Sequence, residues 1–218
     1  MRIFLDTANV DQIRQAKRLG VISGVTTNPS LMFQAGRADY RAAIQEICAI
    51  ESGPVSAEVL SQEAEGMVEE AREVSKWAAN VAIKIPATVA GLEATSILAR
   101  ENIKVNFTLC FSLNQALLGA LAGAAYTSLF VGRLDDIGHD GMELVKEIVE
   151  VFNKYKLSTE VIAASIRHPL HCVAAAKAGA HIATVPYNVL MQMIQHPLTS
   201  IGVTRFAEDW QRVTRAEG

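Results

Sequence analysis

Apolar residues recur along this chain in two alternating periods. Short runs rich in Val, Ile and Phe give way to longer stretches with the three-to-four spacing of an amphipathic helix, and the exchange repeats to the end of the chain. The short runs predict strands at 3–5, 25–27, 55–59, 81–86, 105–109, 126–131, 160–164 and 181–185. Between them, helical patterns run from Asn9 to Gly20, Asp39 to Ile50, Glu63 to Ala79, Thr88 to Arg100, from Ser112 onward, Gly138 to Tyr155, Pro169 to Gly179 and Tyr187 to Gln195. Asn9 with Gln12, and Ser112 with Gln115, have the spacing of a capping box, and Gly20 closes the first helix. Asn28-Pro29 stops the second strand, and Pro86 and Pro186 stop the fourth and eighth.

Strict β-α alternation eight times over, with no Gly-rich dinucleotide fingerprint, predicts a closed (β/α)8 TIM barrel rather than an open doubly wound sheet. A last amphipathic helix, about 203–216, carries Phe206, Trp210 and Val213 at helical spacing with charges between them, and so has a face to bury on a neighbour. No repeat, linker or low-complexity stretch marks a second domain, so residues 1–218 are expected to form a single barrel domain.

The lysine in Val81–Pro86, Val-Ala-Ile-Lys-Ile-Pro, breaks this apolar regularity. Desolvating an ammonium favours the neutral amine that attacks carbonyls, so Lys84 suits Schiff-base chemistry. The same window also fits a lysine on an exposed edge strand. Side chains two apart on a strand share a face. By that rule Lys84 faces with Ala82, Asp6 with Phe4, Thr26 with Gly24 and Asn28, and Glu58 with Ser56. Thr108 likewise faces with Asn106, Phe130 with Ser128, and Ser165 with Ala163. Each set lies at the C-terminal end of its strand, the end at which barrel enzymes build active sites. Arg133 and Arg167, past strands six and seven, can clamp a phosphate with Ser165. For Arg133 the alternative is an ion pair with Asp135 or Asp136.

Composition narrows the function. Lys and Arg total 20 against 23 Asp and Glu, a net charge of -3, so no basic field argues for nucleic acid or an anionic membrane. Cys48, Cys110 and Cys172 are odd in number and lie in apolar sequence, as expected of reduced thiols in a cytoplasmic protein. The chain enters a strand at once, which leaves no room for a signal peptide, and it has no apolar run of spanning length. His168 and His171 share a helical face, but Pro169 lies between them and no acidic or Cys ligand adjoins, so no metal is expected.

With these residues in hand, the chain resembles the transaldolase family in the small form shared with the fructose-6-phosphate aldolases. The segments that carry the resemblance are Phe4–Ala8, Gly24–Ser30, Ile83–Pro86, Asn106–Leu109, Phe130–Arg133 and Ala164–Arg167. The resemblance implies that Lys84 is the Schiff-base lysine and Asp6 the acid/base for the C4 hydroxyl. It makes Glu58 and Thr108 the pair that holds a catalytic water. Thr26, Asn28, Asn106 and Ser128 then line the dihydroxyacetone part, and Arg133, Ser165 and Arg167 bind phosphate. It further implies sugar-phosphate substrates, no cofactor, and a homo-oligomer, a pentamer or decamer, joined through the C-terminal helix. Glu58 and Phe130 resemble the transaldolase type, where the aldolases have Gln and Tyr. Leu129 departs from the proline of many relatives. The alternatives are an aldolase releasing free dihydroxyacetone and a non-catalytic sugar-phosphate-binding barrel.

Overall fold

The eight expected strands form and close on one another. The computed structural model describes residues 1–216, so the expected domain limit at residue 218 lies outside the described residues. In chain order the elements are β1 (Arg2–Asp6), α1 (Val10–Arg18), β2 (Ile22–Thr26), α2 (Pro29–Gln34), α3 (Tyr40–Ile50), β3 (Val55–Glu58), α4 (Ala64–Val74), β4 (Val81–Pro86), α5 (Val89–Arg100) and β5 (Val105–Cys110). There follow α6 (Leu113–Leu121), β6 (Tyr126–Phe130), α7 (Val131–Asp135), α8 (Gly141–Tyr155), β7 (Glu160–Ala164), α9 (Pro169–Lys177), β8 (Ile182–Val185), α10 (Tyr187–Ile194) and α11 (Pro197–Ala216). The strands pair in parallel in sequence order, and β8 returns to β1, which makes the fold a (β/α)8 TIM barrel.

The strand period sorts side chains into two cores. Phe4, Ala82, Tyr126, Ile162 and Ile182 plug the barrel interior, and Phe4 meets Tyr126 edge-on with centroids 6.5 Å apart. Their neighbours in sequence, such as Leu5, Ile83, Ala163 and Ala183, point outward into the layer beneath the helices. Gly24 is dictated by this plug, since a Cβ there would lie 2.7 Å from the Phe4 ring. Burying these side chains at about 25 cal/mol per Å² is the main term holding strands to helices.

The helix starts depart from the sequence expectation in instructive ways. Asn9 caps α1 by accepting from the Asp11 and Gln12 N–H groups at 3.0 and 3.2 Å. Gln12 does not complete the box. Its Oε1 accepts the Thr7 hydroxyl at 2.7 Å, and that hydroxyl oxygen accepts the Asn9 N–H at 3.1 Å. At α6, Ser112 accepts the Gln115 N–H while Gln115 reaches back to the Phe111 N–H at 2.9 Å. Two short helices, α2 and α7, are additional to the expected set. Asn28-Pro29, read only as a stop, also starts α2: the Asn28 side chain accepts the Leu31 N–H at 2.9 Å and Pro29 takes the first helical position. Val131, expected to end β6, instead opens α7.

The C-terminal helix begins at Pro197, six residues before the expected 203. Gly202 interrupts the apolar pattern and hid that start, although proline at a first helical position was the available signal. Leu198, Ile201, Phe206, Trp210 and Val213 on this helix are all exposed, Phe206 by 74% and Trp210 by 69%. Among the described residues, no helix is long and apolar enough to cross a membrane.

Candidate active site

A cavity of about 250 Å³ opens at the C-terminal end of the strands. Lys84 rises into it from β4, and Asp6, Thr26, Thr108, Ser128 and Phe130 reach it from the ends of β1, β2, β5 and β6. Asn28, Arg133, Ser165 and Arg167 come from the loops and the short helix beyond the strands. Glu58 and Asn106 stand behind this wall rather than in it. Lys84, only 5% exposed, is no edge-strand lysine: β4 is flanked by β3 and β5.

The Lys84 Nζ lies 3.2 Å from Glu58 Oε2 and donates to the Thr27 carbonyl at 3.1 Å. Across the cavity, the Thr26 hydroxyl donates to Asp6 Oδ1 at 2.7 Å. A hydroxyl has one proton to give, so the short contact between Thr26 and Thr184 has Thr184 donating to Thr26, and a relay of two threonines ends on Asp6. Burial holds the Asp6 carboxyl above its ordinary range, opposed by the Thr26 bond and the charge of Lys84. Below, Ser128 donates to Asn106 Oδ1 at 2.7 Å and Asn106 donates to Ser56 Oγ at 3.1 Å, so Asn106 orients Ser128. The Thr108 hydroxyl is fully buried and has no protein partner among the described residues. Leaving such a hydroxyl unpaired costs about 1–3 kcal/mol, and Thr108 lines the cavity.

Local backbone geometry places two of these groups. β5 bulges between Phe107 and Cys110, with Leu109 at φ 58°, beside Thr108. Ser165 has φ 60°. The alternation argument put Ser165 on a face with Ala163, but Ala163 points outward, and Ser165 reaches the cavity because the chain turns left-handed at the strand end. Left-handed φ at a non-glycine residue is costly, and it tends to persist where surrounding structure and function require it.

The two arginines are held differently from the expectation. Arg167, not Arg133, pairs with an aspartate, Asp136, at 2.8 Å. Arg133 instead lies over the Phe130 ring, 5.0 Å from its centroid, a cation–π contact that aims the guanidinium along the cavity rim. Gly132 lets the two exits approach, since a Cβ there would fall 2.1 Å from the Ser165 carbonyl and 2.7 Å from Arg167 Nε. His171 accepts the Arg167 N–H on Nδ1 at 3.3 Å and reaches Asp135 with Nε2 at 3.1 Å. Burial, and then the neighbouring His168, keep His171 below the ordinary imidazole range, so it serves here as a neutral acceptor. Among the described residues, no three His, Cys, Asp or Glu side chains converge as metal ligands.

Sequence reasoning missed Thr184, Ala164, Ile166 and Pro186 as cavity residues. Thr184 was within reach, since it is two positions from both Ile182 and Pro186 and therefore faces inward with them.

This constellation of a buried lysine, a carboxyl across from it and an arginine pair at the rim can be compared with known proteins. A barrel solved for orotidine 5'-monophosphate decarboxylase from Metallosphaera sedula superimposes with a TM-score of 0.60 over 85% of this chain and 87% of its own, at 12% identity, a likeness of fold alone. A "probable transaldolase" of Dehalococcoides mccartyi is 59% identical, over 99% of this chain and 100% of its own length. One from Heliobacterium modesticaldum is 62% identical over 98% and 99%. The sequence profile described as "Transaldolase/Fructose-6-phosphate aldolase" matches residues 3–217. A match that spans the barrel from its first strand to its last helix takes in every cavity residue, and by it the chain belongs to the transaldolase/fructose-6-phosphate aldolase family.

Proposed function

We propose that the protein is a transaldolase that moves a dihydroxyacetone unit reversibly between sugar phosphates, with Lys84 as the Schiff-base lysine. The donors are fructose 6-phosphate or sedoheptulose 7-phosphate, and the acceptors are erythrose 4-phosphate or glyceraldehyde 3-phosphate. One observation carries the reading: a buried amine at the floor of a polar cavity, with a carboxyl of raised proton affinity across from it. The names of the relatives from Dehalococcoides mccartyi and Heliobacterium modesticaldum point the same way.

In this reading the Lys84 amine, once it has given up a proton, attacks C2 of the open-chain donor, and loss of water leaves an iminium. Asp6 takes the C4 hydroxyl proton, the C3–C4 bond breaks, and its electron pair passes into the iminium to give an enamine on Lys84. The aldose phosphate departs. An incoming aldehyde is attacked by the enamine carbon, Asp6 returns its proton to the new alkoxide, and water releases the product ketose. Glu58 and the unpaired Thr108 hydroxyl suit the water steps. Thr26, Asn28, Asn106 and Ser128 suit the hydroxyls of the three-carbon unit, and Arg133, Ser165 and Arg167 suit the phosphate. The steps need no metal or organic cofactor, since the iminium is itself the electron sink.

Phe130 supports transfer over release of free dihydroxyacetone, because its apolar ring brings no proton to the enamine. Without an acceptor, fructose 6-phosphate should yield little dihydroxyacetone; with erythrose 4-phosphate, exchange should be rapid. Equal cleavage with and without acceptor would replace this reading with the aldolase. Phe130→Tyr should raise the acceptor-independent reaction several-fold while keeping the platform under Arg133, and an unchanged release rate would remove Phe130 from that role.

The chain is read as one domain with an appended helix that joins subunits of a cytoplasmic homo-oligomer, a pentamer or decamer. The exposed apolar face of α11 and the three buried free thiols support this. Ending the chain after His196 should shrink the particle seen by light scattering and move the barrel's melting temperature by only a few degrees. A particle of unchanged size would take the interface away from this helix.

A further inference from the structure

The ladder between β2 and β3 breaks its own pattern at the end nearest Lys84. The Val25 N–H donates to the Pro54 carbonyl at 2.9 Å, and the Thr27 N–H donates to the Ser56 carbonyl at 3.2 Å. In a parallel ladder of this register, with Thr26 beside Ser56, the next bond would run from the Glu58 N–H to the Thr27 carbonyl. That bond is not made. The Glu58 N–H donates to the Tyr40 hydroxyl at 2.7 Å, and the Thr27 carbonyl accepts the Lys84 Nζ at 3.1 Å.

We propose that Tyr40 is a positioning residue for the Schiff-base lysine: by taking the Glu58 N–H in place of the Thr27 carbonyl, its hydroxyl frees that carbonyl to hold Lys84. The inference rests on the Schiff-base reading and extends it to a residue outside the cavity. Among the described residues the Thr27 carbonyl is the one hydrogen-bond acceptor of the Lys84 Nζ, with Glu58 Oε2 as its ion-pair partner 3.2 Å away, and together they fix where the end of the side chain sits in the cavity to which the substrate carbonyl must come. Take away the carbonyl and the side chain can turn about its flexible stem.

Tyr40 is built to hold this position. It is the first residue of α3, whose start is fixed by Asp39 accepting the Ala42 N–H at 2.9 Å. Its ring stands edge-on against Trp77, with centroids 5.6 Å apart. Its own proton goes to the Glu58 carbonyl at 3.1 Å, so the hydroxyl brackets Glu58 through both backbone groups. Burial pushes the phenol up to about 12, which keeps it a neutral donor and acceptor throughout the working range.

Tyr40→Phe tests this, because it keeps the ring against Trp77, removes only the hydroxyl and leaves the Glu58 N–H free to take back the Thr27 carbonyl. The expected result is a tenfold or greater fall in the single-turnover rate of imine formation with fructose 6-phosphate. KM should stay within twofold, since the phosphate contacts lie on the opposite side of the barrel. A crystal structure of the variant should show the Glu58 amide bonded to the Thr27 carbonyl. Imine formation at the unmodified rate, or Lys84 still held by Thr27, would overturn the positioning role alone. No borohydride-trapped adduct in the unmodified protein would overturn the Schiff-base reading and this inference with it.

Discussion

Lys84→Met should abolish turnover, by at least about 10⁴-fold, and leave the barrel folded. Both halves follow from where the side chain lies. Its stem runs through a position flanked by β3 and β5, and an unbranched methionine of similar volume follows the same path. What is lost is the amine, and with it the partner of Glu58 Oε2 and of the Thr27 carbonyl. Leaving acceptors unpaired costs about 1–3 kcal/mol against a total stability of ~5–15 kcal/mol, so the variant melts lower but cooperatively. Without the amine there is no iminium, and without the iminium the C3–C4 electron pair has no sink. Turnover within tenfold of the unmodified protein, in a folded variant, would remove Lys84 from the chemistry.

Asp6→Asn should separate the two halves of the proposed cycle. There imine formation falls to Lys84, so the variant should still bind the donor covalently; C3–C4 cleavage falls to Asp6 as base for the C4 hydroxyl, so turnover should fall by about 10²–10⁴-fold. The amide oxygen can still accept the Thr26 hydroxyl, which keeps the threonine relay in place. The variant should also be the more stable protein at neutral pH. Burial raises the Asp6 pKa on folding, so ionisation of the unfolded carboxyl works against the fold. That loss is absent below the ordinary Asp value of ~3.9, grows as pH rises past it, and is complete above the raised folded value. The melting temperatures of Asp6→Asn and the unmodified protein should therefore diverge upward in pH through that window. For the same reason the acid limb of the unmodified enzyme's kcat/KM should lie above the usual carboxylate range. A variant that no longer traps substrate would mean the roles of Lys84 and Asp6 are misassigned.

Those two residues were legible because the strand period is a hard constraint. Once β4 and β1 are located, Lys84 must share a face with Ala82 and Asp6 with Phe4, and both pairs point into the barrel as expected. The same rule failed for Ser165, because alternation holds only while the backbone stays extended, and the left-handed turn at the end of β7 carries no residue signal as clear as a glycine. The arginine pair was readable as a pair but not in its partners. Whether Asp136 meets Arg133 or Arg167 depends on how α7 packs on the exit of β7, and Gly132 settles that by its missing side chain. Tyr40 was invisible for a further reason. It acts through one hydrogen bond withdrawn from a ladder, and ladder register is a property of two strands at once.

The family's fold and the cavity are common ground for a transferase, an aldolase and a silent binding barrel, and all three could hold a sugar phosphate at Arg133 and Arg167. Covalency is what distinguishes the first two from the third. Borohydride reduction in the presence of fructose 6-phosphate, followed by peptide mass measurement, reads covalency out. One substrate-dependent adduct per chain is expected, located on the peptide that carries Lys84 and absent from Lys84→Met. A protein that binds fructose 6-phosphate yet gains no mass on reduction, or gains it on another lysine, would contradict the Schiff-base role of Lys84.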